Sequence, residues 1–105
     1  MGKNIRSDAV DFLFDAIKTL ETREEYYDFF EDICTVNELL SLAQRLEVAS
    51  MLRIKKTYTE IADQTGASTA TISRVNRSLN YGNDAFEMAF KRMPEMAKKI
   101  EELDK

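Results

Sequence analysis

Ser68, Thr69, Ala70, Thr71, Ser73, Arg74 and Arg77 crowd into one short stretch, which otherwise holds only Ile72, Val75 and Asn76. On a helix, Ile72 and Val75, with Leu79 one turn further on, form a single apolar stripe. The other side chains are small, hydroxylated or basic and would face outward. Short side chains let the end of a helix approach the floor of a major groove. Hydroxyls bond to bases or phosphates, and a methyl group meets thymine. Arg74 and Arg77, with Arg53, Lys55 and Lys56 upstream, are cations suited to backbone phosphates. The first turn of such a helix adds oriented N–H groups. The chemistry these residues suit is recognition of double-stranded DNA.

Two short helices crossing steeply would have to hold that face. They need a small residue at the crossing, which Ala62 supplies. They need a turn residue tolerant of positive φ, which Gly66 supplies. Ile61 on the first helix can pack beneath Ile72 and Val75. The spacing of Ala62, Gly66, Ile72 and Val75 matches a helix-turn-helix over about 58–79. The plain alternative is an ordinary helical hairpin whose polar side is merely solvated.

The rest of the chain reads as all-α, one domain over residues 1–105 with about six helices. Val10, Leu13, Phe14 and Ile17 form one stripe, and Tyr26, Phe29, Phe30 and Ile33 form another, both expected in a hydrophobic core. Thr22 with Glu25, Thr35 with Glu38, and Thr57 with Glu60 are capping-box pairs. Asp84 and Glu87 are read as a further helix start. Pro94 either kinks the helix that follows or begins a last one. The helix opened by Thr35 is apolar on two flanks, through Leu39, Leu42, Ala43, Leu46 and Ala49, and through Val36, Leu40, Val48, Met51 and Leu52. Either a second subunit covers one flank, or the helix is central in a monomer.

A chain of 105 residues buries roughly 65% of its unfolded surface, so it gains from extra stabilisation. Cys34 is the one cysteine and there is no histidine, so neither an internal disulfide nor a structural metal site is expected. Cys34 reads as a small buried apolar residue. A partner chain is the favoured remedy. No apolar run can span a bilayer, and the first residues lead into no signal-peptide core. Gly2 opens no myristoylation motif, because Ser7 stands one place too far. A soluble, cytoplasmic protein is expected.

The net charge is −4, but it is unevenly spread. Residues 1–44 carry four basic and ten acidic side chains, residues 45–80 six and three, and residues 81–105 five and six. The one basic stretch contains the candidate motif. The acidic start instead motivates a second reading, a protein-interaction module reusing the helical hairpin without specific DNA readout. An enzyme is not expected. There is no histidine, no nucleophile beside a base and no glycine-rich phosphate loop. Adjacent acids such as Glu24 and Glu25 or Glu101 and Glu102 read as solvated helix faces.

From Thr35 to Leu79 the chain resembles the Trp repressor family, and within it the YerC/YecD-type relatives. The resemblance is carried by Thr35, Glu38, Leu42 and Arg45, by Gly66-Ala67-Ser68-Thr69-Ala70-Thr71-Ile72-Ser73-Arg74, and by Ser78-Leu79. It implies a sequence-specific transcription regulator, a repressor, built as an intertwined homodimer. Helices in about 7–53 and 84–103 would form the dimer. Two reading heads would meet a roughly palindromic operator with half-sites about one helical turn apart. Arg45 and Arg74 match the two arginines that flank tryptophan in the tryptophan-responsive member. Thr35, Thr71 and Ser78 match further pocket positions. The glycine that makes room for the indole is replaced by Val75, so no cofactor is expected and a tryptophan effector is disfavoured. Arg45 reads as a solvated or salt-bridged arginine ahead of a ligand contact. The linker before the first motif helix is shorter than the family's by about one residue.

Overall fold

The computed structural model describes residues 4–105, which hold helices and no strand. The all-α expectation is met, but the helix count is seven among the described residues instead of about six. The helices are α1 (Asp8–Ile17), α2 (Arg23–Ile33), α3 (Val36–Arg53), α4 (Tyr58–Thr65), α5 (Thr69–Tyr81), α6 (Ala85–Arg92) and α7 (Pro94–Leu103). The extra helix arises at Pro94. The residue before a proline is pushed out of helical geometry, and Met93 is accordingly extended at φ −95° and ψ 113°. Pro94 then opens α7 at its first turn, where a missing N–H costs nothing. Gly2, read above as unlipidated, lies outside the described residues.

The chain divides into two compact units, one ending at Leu39 and the other running from Leu40 to Lys105. In the first, Ser7 caps α1 by accepting the Val10 N–H, and Thr22 caps α2 by accepting that of Glu25. The Glu25 carboxylate accepts from the Glu21 N–H instead of closing the expected box on Thr22. Phe29 and Phe30 meet edge to face with centroids 5.5 Å apart. The expectation that these aromatic stripes form a core does not hold within the chain. No residue of α1 or α2 is buried, and Phe12 is 78% exposed. Cys34 is half-buried, where a buried residue was expected.

The second unit holds the core. Val48 and Ala49 of α3, Ile61 of α4, Ala67 of the turn, Ile72 and Val75 of α5, Phe90 of α6, and Met96 and Ile100 of α7 are buried together. The cluster draws on α3, α4, α6 and α7 as well as α5, and α5 itself sends in only the Ile72 and Val75 stripe. Both flanks of α3 reach this core near the end of the helix, through Ala49 and Val48, while Leu40, Leu42 and Leu46 stay exposed, Leu40 at 60%. Phe86 and Phe90 stack one turn apart on α6, with centroids 6.1 Å apart. Gly82 ends α5, where a side chain would overlap the Ser78 carbonyl.

Ile61→Ala empties a fully buried position of this cluster. It should lower stability to urea by about 2–5 kcal/mol. Tyr81→Ala, at a position 85% exposed, should change it by less than about 0.5 kcal/mol. Equilibrium unfolding of the two variants checks the contrast.

Candidate nucleic-acid interface

The turn between α4 and α5 is built from satisfied backbone groups. Thr57 and Glu60 close a full capping box at the start of α4, the Thr57 hydroxyl accepting from the Glu60 N–H at 3.1 Å and the Glu60 carboxylate from the Thr57 N–H at 2.8 Å. At the other end Gly66 takes φ +74° and donates its N–H to the Ala62 carbonyl at 2.9 Å. A Cβ there would meet nothing within 4 Å, so glycine serves the left-handed backbone and not a lack of room. The Thr65 hydroxyl donates to the Ile61 carbonyl at 2.7 Å and accepts the Ala67 N–H at 3.1 Å. Gln44 of α3 donates to the Thr65 carbonyl at 3.1 Å. Gln44 and Ala67 were not legible in the sequence as parts of the turn. Gln44 bonds across 21 residues, and nothing in Ala67 distinguishes a buried alanine from an exposed one.

Ser68 starts α5 by accepting the Thr71 N–H at 3.1 Å, and its hydroxyl donates to that of Thr71 at the same distance. The predicted stripe is inside, with Ile72 and Val75 buried and Leu79 half-buried. Ser68, Thr69, Ala70, Ser73, Arg74 and Arg77 are exposed, and Thr71 is half-buried. Helix geometry leaves the N–H groups of Thr69 and Ala70 without intrahelical acceptors. The result is a hydroxyl-rich helix start with free donors and two arginines one and two turns behind it.

The elbow from α3 into α4 places the other cations. The Lys56 N–H donates to the Met51 carbonyl at 3.0 Å and the Lys55 N–H to that of Leu52 at 3.1 Å. This crossed pair is a Schellman ending, with Lys55 in the left-handed position at φ 71°. Lys55 is exposed and Lys56 half-buried. Arg53 departs from its expected role as a free phosphate contact. Its Nε and Nη2 donate to Glu87 at 2.7 and 3.1 Å, and its Nη2 also donates to Asp104 at 2.8 Å. The helix start read at Asp84 and Glu87 is met, since α6 begins at Ala85 with Asp84 as its N-cap residue. Asp84 is left-handed at φ 61° and makes no side-chain cap, and the Glu87 carboxylate is held by Arg53 of α3.

The comparisons with known proteins converge. Residues 8–94 match the model of the Trp repressor protein family. The chain belongs to that family. It is 60% identical over 91 residues to the uncharacterised Bacillus subtilis protein YerC, covering 87% of this chain and 88% of that one. Two solved structures are close to it in sequence and shape. A TrpR-like protein from Eubacterium eligens superposes with a TM-score of 0.84 at 61% identity, covering 86% of this chain and 93% of the other. A candidate Trp repressor from Staphylococcus aureus does so with a TM-score of 0.83 at 60% identity, covering 86% and 90%. The resemblance read from Thr35 to Leu79 is borne out, and it extends to α1 and α2. Most of α7 lies beyond the matched residues.

Of the positions matching the family's effector pocket, Thr71, Arg74 and Ser78 share one side of α5 through their spacing of three and four residues. Arg45 and Arg74 are exposed. Thr35 belongs to the other unit, and both its N–H and its hydroxyl are bonded to Glu38 in a capping box. Val75 is buried at 4% exposure, so its side chain fills the core under α5. A cavity of about 410 Å³ opens between the elbow, the end of α5 and α6, lined by Arg53, Lys55, Asn76, Ser78 and Asp84 among others. Ser78 is the one member of the effector set that it includes.

Hydrogen bonds from Arg53 hold the Glu87 carboxyl below its ordinary 4.5 and that of Asp104 below 3.8. The Thr57 N–H, then its hydroxyl, lower Glu60 in the same way. Groups with depressed values stabilise the fold fully above their ordinary values, and that stabilisation fades as pH falls through the depressed ones. Stability should therefore drop as pH is lowered below about 4.5. Glu87→Gln should cost about 1 kcal/mol at pH 7 and show a shallower acid loss than the parent. Urea unfolding across a pH series checks both.

Proposed function

We propose that this protein is a homodimeric, sequence-specific transcription regulator that reads the major groove with Ser68 through Arg77 of α5. The observation that carries this is the shape of the α4–α5 hairpin. A left-handed glycine turn and two buried residues, Ile72 and Val75, present the hydroxyl-rich start of α5 outward. Family membership supports the same reading. Ser68, Thr69, Ala70, Thr71 and Ser73 are suited to base edges and nearby phosphates, while Arg74, Arg77, Lys55 and Lys56 are suited to the backbone. Family membership favours repression, since a dimer seated on an operator would exclude other proteins from it.

The dimer is supported by what the chain leaves uncovered. Leu40 and Leu42 on α3 and Phe12 and Phe14 on α1 are exposed, and α1 and α2 bury nothing. Apolar helices of this kind gain stability when a second copy covers them. Tryptophan is not proposed as an effector. Val75 occupies in the core the place that the tryptophan-responsive member gives to a glycine.

Selection of bound sequences from a random duplex pool should give one roughly palindromic consensus, the same with and without L-tryptophan. No enrichment by a folded protein at low salt would sink the DNA reading, and a consensus seen only with tryptophan would overturn the reading of Val75. Lys55→Gly should flatten the dependence of log affinity on log salt by about 0.9 per protomer. It should leave stability unchanged or raise it by up to about 1 kcal/mol, since glycine fits the left-handed elbow. Sedimentation should show a dimer, and Leu40→Glu should shift it towards monomer.

A further inference from the structure

The guanidinium of Arg53 is shared between two carboxylates on two of its edges. Nε and Nη2 donate to Glu87 at 2.7 and 3.1 Å, while Nη1 and Nη2 donate to Asp104 at 3.4 and 2.8 Å. The Glu87 side chain is 28% exposed and that of Asp104 is 52% exposed. The edge held by α6 is thus the sheltered one, and the edge held by the end of α7 faces solvent. Lys55 lines a cavity with Arg53, and Lys91, whose Nζ is 3.7 Å from the Glu87 carboxylate, lines another with Asp104; both add to the positive field at Asp104. Asp104 is therefore an acid set among three cations, two of them on the elbow that leads into the reading head. The planar fork of an arginine takes a phosphate and a carboxylate by the same pair of parallel hydrogen bonds.

We propose that the solvent-facing edge of Arg53, with Lys55 and Lys91, is a binding site for a backbone phosphate of duplex DNA, and that Asp104 occupies it as an internal phosphate surrogate. The proposal rests on the DNA-binding reading. It assigns a task to the end of α7, which lies past residue 94, where the family match stops. Glu87 keeps the guanidinium in place, so removing Asp104 frees one edge without releasing the side chain. An exposed ion pair of this kind is weak and exchanges readily with a competing anion. A phosphate must displace Asp104 before it gains Arg53, and the site is the same whatever the base sequence. Asp104 therefore lowers the affinity for DNA of any sequence.

The test uses the full chain and a duplex of arbitrary sequence, with binding measured from 50 to 200 mM salt. Asp104→Asn should bind several-fold more tightly at the low end. Its plot of log affinity against log salt should be steeper by about 0.9 per protomer, so the advantage shrinks by about 3.5-fold per protomer across that range. Glu102→Gln changes the net charge equally, and Glu102 forms no ion pair among the described residues; it should leave the slope where it was. An Asp104→Asn slope equal to that of the parent, or an equal change in Glu102→Gln, overturns the proposal while the DNA-binding reading stands. Failure of the parent and both variants to bind at low salt, with all three folded, overturns the DNA-binding reading and this proposal with it. Binding by Asp104→Asn alone supports both.

Discussion

A helix that lies on a protein with most of its circumference free has one narrow stripe with which to hold on. In α5 that stripe is Ile72 and Val75, both buried, with Leu79 half-buried behind them. Each such side chain contributes roughly 1.5–3 kcal/mol when fully buried, which is little for a helix meant to meet another macromolecule. The turn before it must therefore add no cost. Gly66 accepts positive φ without strain, the Thr65 hydroxyl serves both Ile61 and Ala67, and Gln44 takes the Thr65 carbonyl. Once the turn is satisfied, the direction of α5 is fixed. Which of its residues face outward then follows from helical periodicity alone.

The same economy explains the contrast between the two units. The buried residues from Val48 to Ile100 give the second unit a core of its own. The first has stripes of aromatic and aliphatic residues and, among the described residues, no buried side chain. Apolar side chains left in contact with water contribute nothing to folding. Helices with such stripes would gain stability by packing on a second copy, which is the physical content of the dimer proposed above. In that arrangement the reading head would rest on a self-sufficient core, and dimerisation would set the separation of two heads without reshaping either.

Much of this was legible in the sequence because it depends on neighbours a few residues apart. The Thr35–Glu38 and Thr57–Glu60 boxes, the Gly66 turn and the Ile72–Val75 stripe are all local patterns, and each is where spacing placed it. What failed to show was decided by distant partners. Asp84 and Glu87 have the spacing of a cap, but Arg53 lies 34 residues before Glu87 in sequence and holds it more strongly than a helix end would. The wide apolar surface of α3 was visible, whereas which part of it the chain itself covers, Val48 to Leu52, depends on residues far along the sequence such as Phe90, Met96 and Ile100. Lys55 in a left-handed position breaks the usual preference for glycine. No local rule anticipates a lysine there, and its charge beside the reading head is a reason to keep it despite the strain.

Electrostatics and packing meet at Val75. A glycine inside a helix weakens it by roughly 0.5–1 kcal/mol relative to alanine and buries no side chain. A head built that way holds its recognition helix loosely unless something fills the gap. Valine at 4% exposure fills it from within, so α5 is seated before any small molecule arrives. On the DNA-binding reading proposed above, control would then act on how strongly the head meets DNA and not on whether it is formed. On that reading the net charge of −4 would oppose indiscriminate binding at long range, and Asp104, paired with Arg53 at 2.8 Å, would oppose it at short range. A rigid head with restrained charge depends more on the fit of its base contacts than a flexible, strongly basic one does, which is the balance a sequence-specific regulator requires.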